Sequence, residues 1–375
     1  MAQINLKSWA TQGAAGSPGK TRVLIVDDSA IVRKLLSDAL SVEPDIEIAG
    51  TAPDPYVARD KILSLQPDVL TLDIEMPRMD GLTFLRKLMR FHPMPVIVIS
   101  SLAQGSCRVA LEALEVGAVE VLAKPGGPYS VGELRQVLGS KVRAAAAARL
   151  RPRRELLKAP LLAVSELPAD TVIAIGASTG GTEAIASVLS RLPASTPAVL
   201  ITQHIPPGFS RAFAQRLNQL SAMEVREAAD GEPVRPGVAL VAPGDHHLLL
   251  RRSGAGYFAT VKTGPRVCYQ RPAVDVLFQS VAESAGRRAV GVLLTGMGSD
   301  GAQGLLRMRS AGAHTIAQDE SSCVVFGMPR EAIALGAADS VVPLNGIAEA
   351  ILMARTANAD GLVRRANLGT AGQSW

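Results

Sequence analysis

Short apolar runs alternate with amphipathic, helix-like segments over the first part of the chain. Five such runs, VLIV, IEIAG, VLTLD, VIVIS and VEVLA, occur between Thr21 and about Ser140, and each is followed by a stretch of helical character. Parallel strands are buried on both faces and need covered crossovers, so this alternation favours a parallel sheet with helices on both sides. The first part of the chain is therefore predicted to be a five-stranded α/β domain.

The same alternation resumes at Thr171. The runs TVIAIG, AVLITQH, EVREA and VALVAPG are followed by HLLLRR and YFATVK, which indicate an antiparallel hairpin, and then by AVGVLLTG, HTIAQ and SVVPL. Helical segments are predicted at 181–192, 209–220, 274–286, 301–312 and 329–336. This pattern predicts a second, larger α/β domain with a mostly parallel sheet and a β-hairpin.

A chain of 375 residues, 47% of them hydrophobic, can bury two separate cores. The segment from Lys141 to Asp170 has seven Lys or Arg against three acids and no strand pattern after its alanines, which indicates a terminal helix that continues as a linker. The predicted division is an N-terminal extension at 1–20, a first domain at 21–140, a linker at 141–170, a second domain at 171–356 and a tail at 357–375.

Composition excludes several classes of protein. The net charge of +5 lies largely in the linker and aromatic residues make up only 3% of the chain, so no nucleic-acid partner is expected. Cys107, Cys268 and Cys323 are widely separated, with no CxxC pair, which favours reduced thiols in a cytoplasmic protein. No signal peptide is recognisable, and no run approaches the roughly 20 apolar residues of a membrane helix, so no direct membrane insertion is expected.

Acidic residues follow two strands of the first domain. Asp27 and Asp28 come after VLIV, and Asp73 ends VLTLD. Any one of them could simply cap the next helix. Three carboxylates converging at one sheet edge would repel one another without a cation, and hard oxygen ligands suit Mg²⁺.

A hydroxyl and a lysine are predicted at the same edge. Ser100 ends VIVIS, and Lys124 follows VEVLA. A cation, a hydroxyl and a metal-binding acid around Asp73 are what a carboxylate needs to accept a phosphoryl group.

The motifs DDS, LTLDIEMPRMDG, VISS and AKP resemble the receiver domain of two-component response regulators, over about residues 21–140. The resemblance implies a flavodoxin-like fold with Asp73 as the phosphoacceptor. It also implies that Mg²⁺ binds Asp28, Asp73 and the backbone carbonyl of Glu75, that Asp27 completes the acidic pocket, and that Ser100 and Lys124 sense the phosphoryl group.

The stretch GASTGG in the second domain places Ser178 in a G-x-S-x-G turn between a strand and a helix. Such a turn can expose a serine nucleophile, although Ser178 or Thr179 could also cap the helix. The nucleotide-binding alternatives fail, because the stretch is not G-x-G-x-x-G, lacks the P-loop lysine, and no acid ends the next strand.

A serine nucleophile needs a base and an acid that orients it. His204 ends the run AVLITQH, and Asp300 lies in the glycine-rich turn of LLTGMGSDG, so both are predicted at the same sheet edge as Ser178. The order Ser178–Asp300–His314 is an alternative on paper. It ranks lower because His314 begins a strand and would lie at the opposite edge.

GASTGGTEAI, ITQHIPPGFS, VAPGD, RPAVDVLF, LTGMGSDGA and SCVVFGMPREA resemble the effector domain of the bacterial chemotaxis protein-glutamate methylesterase family, CheB. The resemblance implies a Rossmann-like esterase with Ser178 as nucleophile, His204 as base and Asp300 as orienting acid. The backbone N–H groups of Met297 and Thr179 would form the oxyanion hole.

The same resemblance implies the reaction and the partners. The substrate would be a glutamate γ-methyl ester on a methyl-accepting chemoreceptor, hydrolysed to release methanol without a cofactor, and some members also deamidate receptor glutamines. A chemotaxis histidine kinase would be the phosphodonor. The receiver would cover the mouth of the esterase until Asp73 is phosphorylated.

One stretch departs from the family pattern. Cys268, Tyr269 and Gln270 stand where a more basic sequence, often with a histidine, is expected, which affects substrate contacts rather than the triad. A rival hypothesis from another class is a non-enzymatic regulator whose second domain binds a partner.

Overall fold

The structure, a computed structural model, describes residues 19–124, 131–150, 162, 167–254 and 256–354. Most of the predicted extension at 1–20, half of the linker at 141–170 and all of the tail at 357–375 lie outside these residues. Among the described residues, no helix is both long enough and apolar enough to cross a membrane.

The first sheet has five parallel strands in the order β2-β1-β3-β4-β5. Its strands are β1 (Thr21–Val26), β2 (Ile46–Ala52), β3 (Val69–Asp73), β4 (Val96–Ser100) and β5 (Glu120–Ala123). The helices are α1 (Ala30–Leu40), α2 (Pro55–Leu65), α3 (Gly81–Phe91), α4 (Gln104–Val116) and α5 (Val131–Ala146). The prediction of a five-stranded parallel α/β fold is confirmed.

The second domain contains a seven-stranded parallel sheet in the order β15-β14-β13-β6-β7-β10-β8, and a three-stranded antiparallel sheet in the order β11-β12-β9. The strands are β6 (Val172–Ala177), β7 (Ala198–Gln203), β8 (Glu224–Glu227), β9 (Pro233–Val234), β10 (Val238–Val241), β11 (His247–Ser253), β12 (Gly256–Lys262), β13 (Ala289–Leu293), β14 (His314–Gln318) and β15 (Ser340–Val342). The predicted mostly parallel sheet and the hairpin, β11 with β12, are confirmed.

The helices of this domain cover the larger sheet. They are α6 (Gly181–Leu189), α7 (Phe209–Leu220), α8 (Val274–Ser284), α9 (Ala302–Ser310), α10 (Met328–Ala334) and α11 (Leu344–Leu352), with a short 3₁₀ turn at Gly286–Arg288. The sequence did not indicate α11 or the two-residue strand β9. A helix that packs at the end of a chain and a strand this short carry little periodicity of their own.

Both large sheets reverse strand order at one point, and each candidate site lies there. The chain passes from β1 to β2 on one side and to β3 on the other, and likewise from β6 to β7 and later to β13. At such a reversal the carboxyl ends of neighbouring strands open into a crevice. Asp27, Asp28 and Asp73 lie at the first crevice, whereas Ser178, His204 and Asp300 lie at the second.

The two domains are packed together through helices. α4 of the first domain contacts α7 and α6 of the second, and Arg216 Nε lies 2.5 Å from Glu115 Oε1 across this contact. Buried apolar side chains of both domains belong to one continuous cluster. The first domain is thus held against the second by apolar contact with an ion pair beside it.

The N-terminus of α2 is capped by Asp54, and replacing this residue tests the fold. Asp54 Oδ1 accepts the N–H groups of Tyr56 and Val57 at 2.8 and 3.0 Å, and these bonds, with Arg78, hold the pKa of Asp54 below its usual value. Asp54→Ala should lower the free energy of opening of α2 by about 1 kcal/mol, measured by hydrogen exchange of the helix amides.

The pKa of Asp54 is lower in the folded state than in the unfolded state. Its stabilisation of α2 is therefore fully present above the unfolded pKa and is lost as pH falls through the folded pKa. The difference from wild type should therefore shrink below about pH 4. Asp60→Ala is the control, because Asp60 is exposed on the same helix and pairs with the exposed Arg59. Equal exchange in Asp54→Ala and wild type at neutral pH contradicts the capping role.

Candidate active site

The acidic crevice of the first sheet is buried around Asp73. Asp73 is fully buried, and Lys124 Nζ lies 2.7 Å from its Oδ2 and 3.5 Å from Asp27 Oδ2. Burial raises the pKa of Asp73 to about 6, against the opposing effect of Lys124. Burial likewise raises the pKa of Asp27.

The crevice fits a divalent cation. Oxygens of Asp27, Asp28 and Asp73 lie within 4.8 Å of one another, and the buried Asp27 Oδ2 has only the longer contact to Lys124 Nζ, at 3.5 Å, among the described residues. A hard oxygen donor set of this kind suits Mg²⁺. Glu75 N–H donates to Asp73 Oδ1 at 3.0 Å, so the backbone of Glu75 lies beside the same carboxylate.

Three serines, at and just after the end of β4, lie near this crevice. Ser100 is buried, and its hydroxyl faces the carbonyl groups of Ser101 and Ser106 at 3.4 and 3.5 Å. The Glu75 carboxylate accepts hydrogen bonds from Ser106 and Ser101, and these bonds lower its pKa. This link from the Asp73 loop to α4 has no motif in the sequence, because it depends on how the two loops meet.

The glycines of GASTGG are required by close packing around the turn after β6. Gly180 has φ +76°, and a Cβ there would lie 2.6 Å from Val324. A Cβ at Gly181 would lie 2.2 Å from Gln203 Oε1. The glycines therefore let the nucleophile turn approach its neighbours, rather than cradle a phosphate.

Ser178, His204 and Asp300 form one hydrogen-bonded chain. His204 Nδ1 lies 3.0 Å from Ser178 Oγ, and His204 Nε2 lies 2.7 Å from Asp300 Oδ2. All three side chains are at least 94% buried, with exposed fractions of 4%, 6% and 2%. The structure thus brings together the three residues predicted for the triad.

Asp300 also accepts the N–H groups of Val274 and Asp275, at 2.7 and 2.9 Å, in the first turn of α8. These donors make Asp300 an acceptor, so His204 Nε2 carries the proton in their shared hydrogen bond. His204 Nδ1 is then free to accept the hydroxyl proton of Ser178. This is the arrangement of a general base whose tautomer is fixed by an acid.

The turn after β13 lies directly against the nucleophile. A Cβ at Gly296 would lie 2.6 Å from Ser178 Cβ, and the Gly296 carbonyl accepts the N–H groups of Gly327 and Met328. Met297 follows, 37% exposed, and its N–H makes no hydrogen bond within the described part of the chain. The same holds for the Thr179 N–H.

The alternative triad is not formed. His314 begins β14, and its Nδ1 lies 4.0 Å from Asp339 rather than beside Asp300. His314 Nε2 faces the Ser340 hydroxyl at 3.5 Å. It therefore lies at the sheet edge opposite to Ser178.

Residues of the first domain lie against the cavity beside His204. His204 and Tyr269 line a cavity of about 30 Å³ together with Val121, Val137 and Lys141 of the first domain. Tyr269 is 75% exposed, and it and Cys268 have positive φ, at 63° and 49°. The stretch that departs from the family pattern thus forms the rim of the mouth.

One buried polar contact joins the first domain to the nucleophile turn. Glu120 Oε2 accepts the Thr179 hydroxyl at 2.8 Å and lies 2.6 Å from Lys141 Nζ. The exposed fractions of these three residues are 7% or less. Glu120 entered the sequence analysis only as part of a predicted strand, because nothing local marks a contact made across a domain interface.

Two families match the two domains. Residues 23–136 match the response regulator receiver domain, and residues 173–351 match the family described as CheB methylesterase. The class of protein is therefore a receiver domain joined to a methylesterase domain. Both resemblances drawn from the motifs are confirmed.

Relatives match over nearly the whole chain. Protein-glutamate methylesterase/protein-glutamine glutaminase 2 of Syntrophus aciditrophicus (strain SB) is 56% identical over 338 residues, 89% of this chain and 98% of that protein. A protein-glutamate methylesterase/protein-glutamine glutaminase of Yersinia pseudotuberculosis is 55% identical, over 89% of this chain and 96% of that protein.

Among solved structures, the Thermotoga maritima CheB methylesterase catalytic domain is 38% identical, with a TM-score of 0.48, over 49% of this chain and 98% of that chain. On the sequence relatives, the chain belongs to the protein-glutamate methylesterase/protein-glutamine glutaminase family.

Proposed function

We propose that this protein hydrolyses glutamate γ-methyl esters on chemoreceptors, releases methanol, and is activated by phosphorylation of Asp73. The observation that carries the proposal is the buried chain of hydrogen bonds from Ser178 through His204 to Asp300. Membership of the methylesterase/glutaminase family supports the substrate class and extends it to receptor glutamines.

The reaction follows from the placement of these groups. His204 Nδ1 takes the Ser178 proton as Oγ attacks the γ-carbonyl carbon, and the resulting oxyanion is bound by the N–H groups of Met297 and Thr179. The imidazolium returns its proton to the departing methoxide, which leaves as methanol. Water then attacks the acyl-enzyme by the same route, giving the free γ-carboxylate and restoring Ser178.

Glutamine would follow the same course with ammonia as the leaving group. None of these steps draws on a metal or a cofactor. The esterase is therefore proposed to work without one.

In the receiver, Asp73 accepts a phosphoryl group from a chemotaxis histidine kinase. Asp28, Asp73 and the Glu75 carbonyl would hold Mg²⁺, which would neutralise charge on the phosphoryl oxygens. Asp27 completes the acidic pocket. Ser100 ends β4, and Lys124 directly follows the neighbouring strand β5. Both would contact the transferred group.

The domain interface supports inhibition of the unphosphorylated form. The cavity beside His204 is about 30 Å³ and is lined partly by receiver residues, so on this side the receiver leaves little room for a receptor side chain. Opening the interface would expose the mouth. The same proposal places the protein in the cytoplasm, where the receptor tails and the kinase are found.

Replacing the nucleophile tests the reaction. Ser178→Ala should reduce methanol release from methylated receptors to background, because no other group forms the acyl-enzyme, and should prevent labelling by a serine-reactive phosphonate. Ser187→Ala is the matched control, since Ser187 lies on the adjacent helix α6. Full activity in Ser178→Ala rules out the role of Ser178, whereas absent labelling of the wild type favours a non-enzymatic regulator.

Replacing the phosphoacceptor tests activation. Asp73→Asn should keep basal methanol release and lose its stimulation by a small phosphodonor with Mg²⁺, because an amide does not accept the phosphoryl group. Asp60→Asn, at an exposed site on α2, should be stimulated as the wild type is. Equal stimulation of Asp73→Asn and wild type contradicts the proposal.

The Glu120–Thr179 contact tests how the closed form is held. Thr179→Val keeps the backbone N–H and the shape of the side chain but removes the hydroxyl that crosses the interface. A hydrogen bond to a charged group contributes about 1.5–3 kcal/mol, so unphosphorylated activity should rise about 10- to 100-fold and stimulation should shrink. The measurement is methanol release with and without a phosphodonor.

Thr182→Val is the control, because the Thr182 hydroxyl makes no hydrogen bond among the described residues. It should leave both activities unchanged. If Thr179→Val has the same basal activity and the same stimulation as the wild type, this hydrogen bond does not hold the closed form.

A further inference from the structure

Gln203, the last residue of β7, lies between the nucleophile turn and the base. Its Nε2 donates to the Ser178 carbonyl at 2.8 Å and to the His204 carbonyl at 3.2 Å. Both partners are carbonyl oxygens, which only accept hydrogen bonds, so the amide nitrogen must face them. Gln203 is 2% exposed and does not reach a substrate.

The first hydrogen bond controls the direction of an oxyanion donor. A trans peptide unit is planar, and its C=O and N–H groups point in opposite directions. The Ser178 carbonyl and the Thr179 N–H belong to the same peptide unit. The Gly181 N–H also donates to the Ser178 carbonyl, at 2.7 Å, so Gln203 and Gly181 together direct the Thr179 N–H to the opposite side, where the oxyanion is proposed to form.

The second hydrogen bond links the nucleophile to the base. One amide nitrogen bonds the backbone of both Ser178 and His204, and the His204 N–H also donates to the Ala177 carbonyl at 3.2 Å. The spacing between the two catalytic side chains is therefore set by their backbone as well as by their own contact.

Thr295 holds the next peptide unit in the same way. Its hydroxyl donates to the Thr179 carbonyl at 3.0 Å. The turn is thus fixed at two successive carbonyl groups, by Gln203 and by Thr295. Only Gln203 also bonds the backbone of the base.

We infer that Gln203 is a positioning residue for the esterase, which orients the Thr179 N–H and sets the spacing of Ser178 and His204. The inference rests on the proposed esterase activity. Its effect belongs to the transition state, because the oxyanion appears only after attack, so kcat should depend on it far more than KM does.

Gln203→Met tests this with a side chain of similar size that donates no hydrogen bond. On the full chain activated by a phosphodonor and Mg²⁺, kcat for methanol release should fall about 10- to 100-fold while KM changes little. The rate of phosphonate labelling should fall in parallel, since the phosphoryl oxygen of the probe occupies the same site. The labelling end point should still reach one site per chain.

Thr202→Val is the matched control. Thr202 precedes Gln203 on β7, is fully buried, and its hydroxyl has no hydrogen-bond partner among the described residues. This variant should keep the wild-type kcat and labelling rate. If Gln203→Met is insoluble, Gln203→Asn gives the same comparison, because its amide is one methylene shorter and does not span both carbonyls.

The outcomes are distinct. A wild-type kcat in Gln203→Met overturns the inference, and so does a loss that disappears when activity is expressed per phosphonate-labelled site, which indicates packing alone. An inactive, unlabelled wild type overturns the proposed esterase function instead. A lower kcat per labelled site, with a melting temperature close to that of Thr202→Val, supports the positioning role.

Discussion

The carboxylate of Asp300 is bound from two sides, and the geometry of the catalytic edge depends on it. The first N–H groups of a helix have no partner within the helix, so α8 offers two of them to Asp300, whose Oδ2 also bonds His204 Nε2. This requires α8 to lie close to the sheet. Gly176 and Gly301 allow it, since a Cβ on either would lie within 2.6 Å of the Val274 side chain.

The most deeply buried charge pair at the interface stays intact when the domains separate. Glu120 and Lys141 both belong to the receiver, on β5 and α5, so the ion pair stays intact when the domains part. At this contact the neutral Thr179 hydroxyl reaches Glu120 from the other domain, whereas the Arg216–Glu115 ion pair crosses the interface beside α4. Breaking a buried charge pair is far more costly than exposing one that remains paired, so opening costs the Thr179 hydrogen bond, the Arg216–Glu115 pair and the apolar contact of α4, but not the Glu120–Lys141 pair.

The sequence was sufficient for features that are local or repeated. Apolar runs of four to six residues predicted most strands, and the residues that follow them, such as Asp73 and Ser178, were predicted at the correct sheet edge because parallel strands share one. Glu120 and Gln203 could not be found in this way. Their roles depend on which groups of distant segments face them in the folded protein, the Thr179 hydroxyl for Glu120 and the Ser178 carbonyl for Gln203.

The strand β5 links the two sites, and its position makes it able to move. Lys124, which bonds Asp73, follows its last residue, and Glu120, which bonds Thr179, is its first. In the part of the chain that the structure describes, β5 pairs with β4 alone and lies at the edge of the sheet. The four residues of β5 span about 13 Å, so a displacement of Lys124 is transmitted along the strand to Glu120. A phosphoryl group on Asp73 would interact with the same Lys124. The hydrogen bond between Glu120 and the Thr179 hydroxyl of the nucleophile turn lies at the other end of the strand.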